Sequence, residues 1–552
     1  MLRPEHHNDG NKKNMKVVLA EKVSPATRAV FTSVADCNVV THDQIKNGLP
    51  AELADADALI VRSAVQVDAA LLGHAPKLRV IGRAGVGVDN IDTEAATRNG
   101  IVVMNTPGAN AVAVAELTVG LMIALARMVP RANATMHDGR WEKKSLQGAE
   151  LRGKKLGIIG LGRVGLEVAR RARGFGMELV GHDPFVSSAI AREYGVRLAS
   201  LADVFREADY LTLHVGLTPE TEGIVNATSL ATMKKGVRIV NCARGELIVE
   251  EALTAALQSG HVGGVALDVF RKEPLKDSPF FGMENVILTP HIAGSTSEAQ
   301  EAVGIQIAEQ VRAYLTTGVV QNAVNFPSLS SEEYTALAPY IELGERLGKF
   351  LAATFGASVE SIHISYSGHV AEMRTELIRN ATLCGILGSS EHVNRINASA
   401  IAKEQGIHVH EQKNAAVSGG AGSVLKLTLH TGQHAAQRSM TVSGTVLHGK
   451  SPRLLACDNI DIEAPLDGTL LFIRNQDVPG VIGRIGTILG EYAINIANFA
   501  LGRAEASHGD GRLEALAVVH VDAETAQAQI HKALEALSKL DAITSVRLVK
   551  LK

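Results

Sequence analysis

Between Lys155 and Pro184 the chain reads KLGIIGLGRVGLEVARRARGFGMELVGHDP, which sets three glycines between a short apolar run and a helical pattern, with an acid closing a second apolar run. No other stretch constrains the fold as strongly. Gly160 permits the tight turn that ends a strand, Gly162 lets the backbone approach a pyrophosphate, and Gly165 lets the new helix pack closely on the sheet. The helix start offers N–H groups to the phosphates. Asp183 closes the second apolar run, where a carboxylate accepts hydrogen bonds from both ribose hydroxyls of an adenosine and repels a 2′-phosphate. The spacing therefore predicts a dinucleotide site that takes NAD rather than NADP.

The chain has 552 residues, 46% of them hydrophobic, which exceeds what one core organises and implies several domains. With 55 basic against 58 acidic side chains and no long basic run, neither nucleic acid nor an anionic membrane is an expected partner, and a small molecule is. Cys37, Cys242, Cys384 and Cys457 are widely spaced and form no CxxC pair, which argues against a metal site or a disulfide framework and for a reducing, cytoplasmic setting. The apolar run LTVGLMIALA is too short to span a bilayer and reads as a buried helix. Residues 1–14, MLRPEHHNDGNKKN, lack the apolar region of a signal peptide and read as a flexible extension, with Met15 an alternative start.

From Lys16 to about Val319, strand-like and helix-like segments alternate, the pattern of parallel sheets covered by helices. KVVLA, DALIVR, LRVIGRAG and IVVMNTPG precede the glycine fingerprint, so the cofactor domain follows another α/β domain, to which the helix-forming segment after Gly294 returns the chain. The predicted architecture is α/β: a Rossmann-type NAD domain at 113–296 inserted in a doubly wound, flavodoxin-like substrate domain at 15–112 and 297–328. Two α+β domains follow. One, at 329–465, carries the loop SGGAGS and the strand-forming stretches SVLKLTLH, QRSMTVSGTVLHG and SPRLLACDNIDIEA; the last, at 466–552, has a βαββαβ pattern.

Chemistry is expected where a nicotinamide would lie. Arg244 in NCARGELI, Glu273 in VFRKEP and His291 in TPHIAGST each follow an apolar strand-like run. Oxidising a hydroxyl by hydride transfer needs a base for its proton and a fixed cation for the oxygen and the neighbouring carboxylate, tasks suited to imidazole and guanidinium. A carboxylate bonded to the far imidazole nitrogen fixes its tautomer and stabilises the protonated form. Singly, such residues are as often helix caps or solvated charges; together after a dinucleotide fingerprint they point to catalysis.

LIVRSA, IGRAGVGVDNID, NTPGANAVAVAELTVGLM, GLGRVG, NCARGELI, VALDVF, KEP and PHIAGST recur in the order and spacing of one family. The chain resembles the D-isomer-specific 2-hydroxyacid dehydrogenases. That resemblance implies that Arg244 binds the substrate carboxylate and carbonyl oxygen, that His291 is the acid/base and Glu273 its orienting partner, and that Asp268 helps hold the nicotinamide. It further implies cofactor contacts from Arg163 and Val164 and from the loops around Cys242 and Gly294, and it places Trp141, Lys143 and Lys144 near a neighbouring subunit of a homo-oligomer, a tetramer in this family.

Arg62 and Arg83 each close a strand-like run and, with the backbone at Gly85 and Gly87, would line one anion-binding cleft, unless they pair with local acids such as Asp55, Asp57 or Asp89. Asn110 would bond a carboxylate or phosphate. Residues 330–465 resemble the allosteric substrate-binding domain of long family members that oxidise 3-phospho-D-glycerate, and the remainder resembles an ACT domain, a module that binds amino acids between subunits. By that likeness Asn475, Asp477 and Asn495 would contact an effector, L-serine. Two other readings stay open: a reductase for another 2-hydroxy acid, such as glyoxylate or hydroxypyruvate, and a nucleotide-sensing binding protein on the same fold.

Overall fold

The computed structural model describes residues 15–32, 37–327, 331–388, 393–414, 422–431, 438–504, 513–522 and 527–551. The extension expected at 1–14 and most of the SGGAGS loop lie outside the described residues.

The first sheet contains β1 (Met15–Leu19), β2 (Cys37–Val40), β3 (Ala58–Val61), β4 (Val80–Arg83) and β5 (Val102–Met104), all parallel, in the order β2-β1-β3-β4-β5. This is the flavodoxin-like order. Alternate residues feed two cores: Val18, Leu59 and Ile81 face one side, Val17, Ile60 and Val80 the other. Both faces are covered, which is why these strands read as unbroken apolar runs. The helix Ser297–Thr317 returns to this sheet and seals the second face with Val303, Ile307 and Val311.

The second sheet comprises β6 (Lys155–Ile159), β7 (Glu178–His182), β8 (Val196–Leu198), β9 (Tyr210–Leu213), β10 (Val237–Asn241), β11 (Val262–Leu267) and β12 (Val286–Leu288). Their order, β8-β7-β6-β9-β10-β11-β12, is the Rossmann order with one more strand, and it reverses between β6 and β9, where a crevice opens at the strands' carboxyl ends. The run LTVGLMIALA belongs to the helix Ala111–Arg127, whose Val114, Ala115 and Met122 share a core with Leu156, Ile158 and Val240. Among the described residues no single helix is long and apolar enough to cross a membrane.

The third sheet is ordered β14-β13-β15-β16-β17-β18, from β13 (Ser361–Gly368), β14 (His408–Asn414), β15 (Ser423–His430), β16 (Ser439–Leu447), β17 (Ser451–Cys457) and β18 (Ile460–Pro465). Only β13 and β14 pair in parallel. SPRLLACDNIDIEA, a single stretch in the sequence, reverses at Asp458 (φ 53°) into the β17–β18 hairpin, since an Asp-Asn dipeptide tolerates left-handed backbone.

The last sheet, β19 (Thr469–Gln476), β20 (Ile496–Arg503), β21 (Glu514–Val521) and β22 (Ile543–Lys550), is antiparallel in the order β20-β21-β19-β22, with the helices Val481–Glu491 and Gln527–Ser538 completing the βαββαβ pattern. Leu471 and Ile473 face these helices. Leu470, Phe472, Leu516 and Val518 point the other way, into one core with Phe350, Leu427 and Val442 of the preceding domain. Phe350 meets Phe472 edge to face at 5.4 Å. Each such fully buried side chain contributes about 1.5–3 kcal/mol.

Candidate active site

Three loops at the carboxyl ends of β10, β11 and β12 build one wall of the cleft between the first two sheets. Buried Asn241 shapes the first loop: its Oδ1 accepts from Ala243 N (3.0 Å) and its Nδ2 donates to the Arg244 carbonyl (2.7 Å). The next residue must be small, because a Cβ on Gly245 would lie 2.0 Å from the Phe270 carbonyl carbon of the second loop. In that second loop Phe270 N donates to Glu273 Oε1 (3.0 Å), which leaves Oε2 to lie 2.7 Å from His291 Nδ1.

His291 sits on the third loop at φ 53°, with its N–H donating to the Asp268 carbonyl at 2.9 Å. The fully buried Asp268 carboxylate ties this turn down, accepting from Thr289 Oγ1 (2.6 Å), Ile292 N (2.9 Å) and Ala293 N (2.9 Å).

The opposite wall comes from the first sheet. Arg83, at the end of β4, lies against the Gly85 backbone so closely that a Cβ there would fall 1.4 Å from Arg83 Nη1. Arg244 reaches across from the other wall: a Cβ on Gly87 would be 2.2 Å from its Nη2, which is itself 3.4 Å from Asp89 Oδ2. Burial first, then the charge of Arg244, pushes the Arg83 guanidinium below its ordinary value, and Arg62 acts in the same sense while Asp89 and Glu21 oppose it. A guanidinium still stays protonated, so three like charges converge on a site that an anion would stabilise.

Among the described residues, buried polar atoms without a protein partner include Arg83 Nε, Thr106 Oγ1 and Asn110 Oδ1. Thr106 is held beside Gly85, to whose carbonyl its N–H donates at 2.9 Å. Asn110 starts the helix Ala111–Arg127, and a Cβ on Gly294, in the His291 loop, would lie 3.0 Å from its Nδ2. Orphaned polar atoms of this kind are costly unless a ligand satisfies them.

The glycine fingerprint lies at the switch point. A Cβ on Gly165 would come 2.0 Å from the Gly160 carbonyl oxygen, whereas one on Gly162, the N-cap of the helix Arg163–Gly174, would meet no atom of the described residues within 4 Å. The open backbone and helix start fit a pyrophosphate. Asp183 follows β7, and its Oδ2 accepts from Leu161 N at 2.8 Å, tying the end of the second strand to the fingerprint loop.

Residues 119–293 match the family model described as D-isomer specific 2-hydroxyacid dehydrogenase, NAD binding domain; 336–458 match the D-3-phosphoglycerate dehydrogenase intervening domain, and 469–540 the ACT domain. A D-3-phosphoglycerate dehydrogenase of Methanocaldococcus jannaschii is 41% identical over 494 residues, covering 89% of this chain and 93% of the relative. The chain belongs to the D-3-phosphoglycerate dehydrogenase family. A Bacillus subtilis D-3-phosphoglycerate dehydrogenase is 36% identical over 544 residues, with 97% of this chain and 99% of the relative covered. Among solved structures, a Thermus thermophilus protein superposes with a TM-score of 0.51 at 34% identity, over 56% of this chain and all (100%) of the other.

In this phosphoglycerate dehydrogenase family member, Arg244, Glu273 and His291 come together on adjoining loops, while Arg62, Arg83, Gly85 and Gly87 lie on the facing wall and Asn110 at the start of the helix Ala111–Arg127. Asp55 and Asp57 are engaged elsewhere, by Lys16 Nζ (2.7 Å) and Lys16 N (2.9 Å), and Asp89 approaches Arg244. Arg62 Nη1 donates to the Lys22 carbonyl at 3.2 Å.

Several residues expected to touch the cofactor also tie the protein to itself. Both oxygens of Asp268 serve the His291 turn, so this carboxylate anchors the loop. Arg163 Nη1 donates across the cleft to the Pro107 carbonyl, so its side chain bridges the walls while Val164 packs partly into the helix-side core. The Cys242 thiol is buried, which pushes it up to about 12. The expected effector trio is not gathered in one chain. Asn475 and Arg503 both pair with Ala515, whereas Ile496, next to Asn495, pairs with Val521, which pairs with Thr469. Asn495 is therefore about 20 Å along the sheet from Asn475 at the usual strand rise. It bonds Asp522 Oδ2 (2.7 Å), and Asp477 Oδ2 lies 3.4 Å from Arg503. Sequence reasoning passed over Thr106, although its place in NTPG, at a strand end facing the fingerprint domain, was the available signal.

Proposed function

We propose that the cleft oxidises 3-phospho-D-glycerate to 3-phosphohydroxypyruvate, the first step toward L-serine. The observation that carries this is that Arg83, packed against Gly85, and Arg244, packed against Gly87, share one cleft with the His291–Glu273 pair. NAD, when bound, accepts the hydride from C2 of the hydroxy acid. Gly160, Gly162, Val164 and Gly165 would cradle its pyrophosphate, Asp183 its ribose, and the backbone near Cys242 and Gly294 its nicotinamide end. Arg244 binds the substrate carboxylate and the C2 oxygen, and its fixed charge stabilises that oxygen as the carbonyl forms. His291 Nδ1 donates to Glu273, so Nε2 is the nitrogen that removes the hydroxyl proton. Arg62, Arg83 and Asn110 take the phosphate. Closure of the two walls, bridged by Arg163, excludes water and aligns the reacting carbon.

The last domain would bind L-serine between two chains. Among the described residues, buried Asn475 has an unpartnered Oδ1, and Cβ atoms on Gly480 and Gly483 would meet nothing within 4 Å, which leaves backbone room at a helix start. The separation of Asn495 from Asn475 requires a second chain to complete such a site. Exposed Val129, Met136 and Trp141 support a further subunit contact, hence a homotetramer, and the free cysteines support a reducing cytoplasm.

The test is NADH oxidation by the purified protein with 3-phosphohydroxypyruvate, beside glyoxylate, hydroxypyruvate and 2-oxoglutarate, each with and without L-serine. Fast turnover of the phosphorylated acid, slowed by serine, is expected. Turnover confined to a non-phosphorylated acid would overturn the substrate, and none at all would favour a nucleotide-binding role.

A further inference from the structure

One carboxylate in the cleft has no part in the chemistry above. Asp89 lies on the loop after β4 with Oδ2 3.4 Å from Arg244 Nη2, and its side chain is 74% exposed. The loop itself is braced. Asn90 Nδ2 donates to the carbonyls of Arg62 (3.1 Å) and Val65 (2.7 Å), and Asn105 Nδ2 donates to that of Val86 (2.6 Å). Gly87 lets the contact form, because a Cβ there would fall 2.2 Å from Arg244 Nη2 and 2.7 Å from Asp89 Oδ2. Glu21, the other acid acting on Arg83, is occupied: its carboxylate accepts the backbone N–H groups of Arg62 (2.8 Å), Ala64 (3.3 Å) and Val65 (3.2 Å). Asp89 thus offers a solvent-facing anion to the very guanidinium assigned to the substrate carboxylate, and it does so from the opposite wall.

We propose that Asp89 is a placeholder anion, a positioning residue that holds Arg244 across the cleft until the substrate carboxylate displaces it. This rests on the cleft being the substrate site. Three guanidiniums repel one another, and a carboxylate at Arg244 offsets that repulsion and keeps its side chain extended toward the cleft. Binding then exchanges one carboxylate for another, so the gain on binding is smaller by whatever Asp89 supplied. An exposed pair is screened, which makes the effect a few-fold. It is the same for every 2-oxo acid that uses Arg244, phosphorylated or not.

The experiment compares the wild type with Asp89→Asn and Asp89→Glu. It reads kcat and KM for 3-phosphohydroxypyruvate, the inhibition constant of hydroxypyruvate as its competitor, and NADH affinity by fluorescence. Wild-type turnover of 3-phosphohydroxypyruvate checks the site assignment by itself; its absence would remove that assignment whatever the variants do. With turnover present, Asp89→Asn is expected to lower both KM and the hydroxypyruvate constant by one common factor, about two- to fivefold. Its kcat stays within about twofold, since an exposed pair acting on binding leaves the bond-making groups in place, and NADH affinity is unchanged. Asp89→Glu, which keeps the charge, retains the wild-type values. A KM that is unchanged or raised in Asp89→Asn, or a decrease seen only with the phosphorylated acid, overturns the proposal.

Discussion

His291 Nδ1 stands 2.7 Å from Glu273 Oε2, although the two residues belong to different loops of the second sheet. The contact assigns the near nitrogen to orientation and the far one to proton transfer. His291→Ala is expected to lower kcat by about 10²–10⁴-fold while leaving NADH affinity unchanged. Steady-state rates beside a fluorescence titration with NADH check this.

Asp268→Asn replaces a carboxylate that accepts from Thr289, Ile292 and Ala293 with an amide that cannot accept from all three. A buried N–H left unpaired costs about 1–3 kcal/mol. The melting temperature should fall and kcat should drop more than KM rises, because the turn bearing His291 loosens. A kcat equal to wild type would show that the turn holds without this carboxylate.

Arg83→Met removes a guanidinium worth about 1.5–3 kcal/mol to a bound phosphate, hence about ten- to hundredfold in KM for 3-phosphohydroxypyruvate. Hydroxypyruvate, which has no phosphate, should be affected far less. Parallel KM measurements for the two acids distinguish loss of phosphate binding from general damage to the cleft.

Glu345 is a partly buried carboxyl whose folded environment gives an acid dependence. Burial works to raise its carboxyl, but Arg395 and Lys349 more than offset this and hold it below the ordinary value. A carboxyl lowered by folding stabilises the native state in full above its unfolded value, about pH 4.3, and loses that contribution as pH falls through the folded value. Glu345→Gln should therefore be less stable than wild type near neutrality, by about 1–3 kcal/mol, with the difference shrinking below about pH 4. Denaturant unfolding at several pH values measures it.

Much of this was legible from residue order. The glycine fingerprint and the apolar runs ending in turn residues point to two parallel sheets through local geometry, and Arg244, Glu273 and His291 stand out because each follows such a run. The tie that Asp268 makes to the His291 turn was not legible: its two oxygens accept from a turn twenty or so residues downstream, a long-range arrangement with no local pattern. The separation of Asn475 from Asn495 was hidden for a similar reason, since it depends on the β19-β21-β20 register and not on their closeness in the chain. The Asp458 turn carried a readable Asp-Asn pair, outweighed by the apolar alternation on either side.

The third and fourth sheets share one core, so the two are packed as a single unit. Its near end rests on the first sheet, where Asn394 and Asn397 donate to the carbonyls of Gly100 (3.0 Å) and Arg98 (3.1 Å), just ahead of β5. β5 in turn delivers Thr106 and Asn110 to the cleft. The shared core and the two asparagine contacts thus form one unbroken run of packed residues from the last sheet to the strand that ends at the cleft.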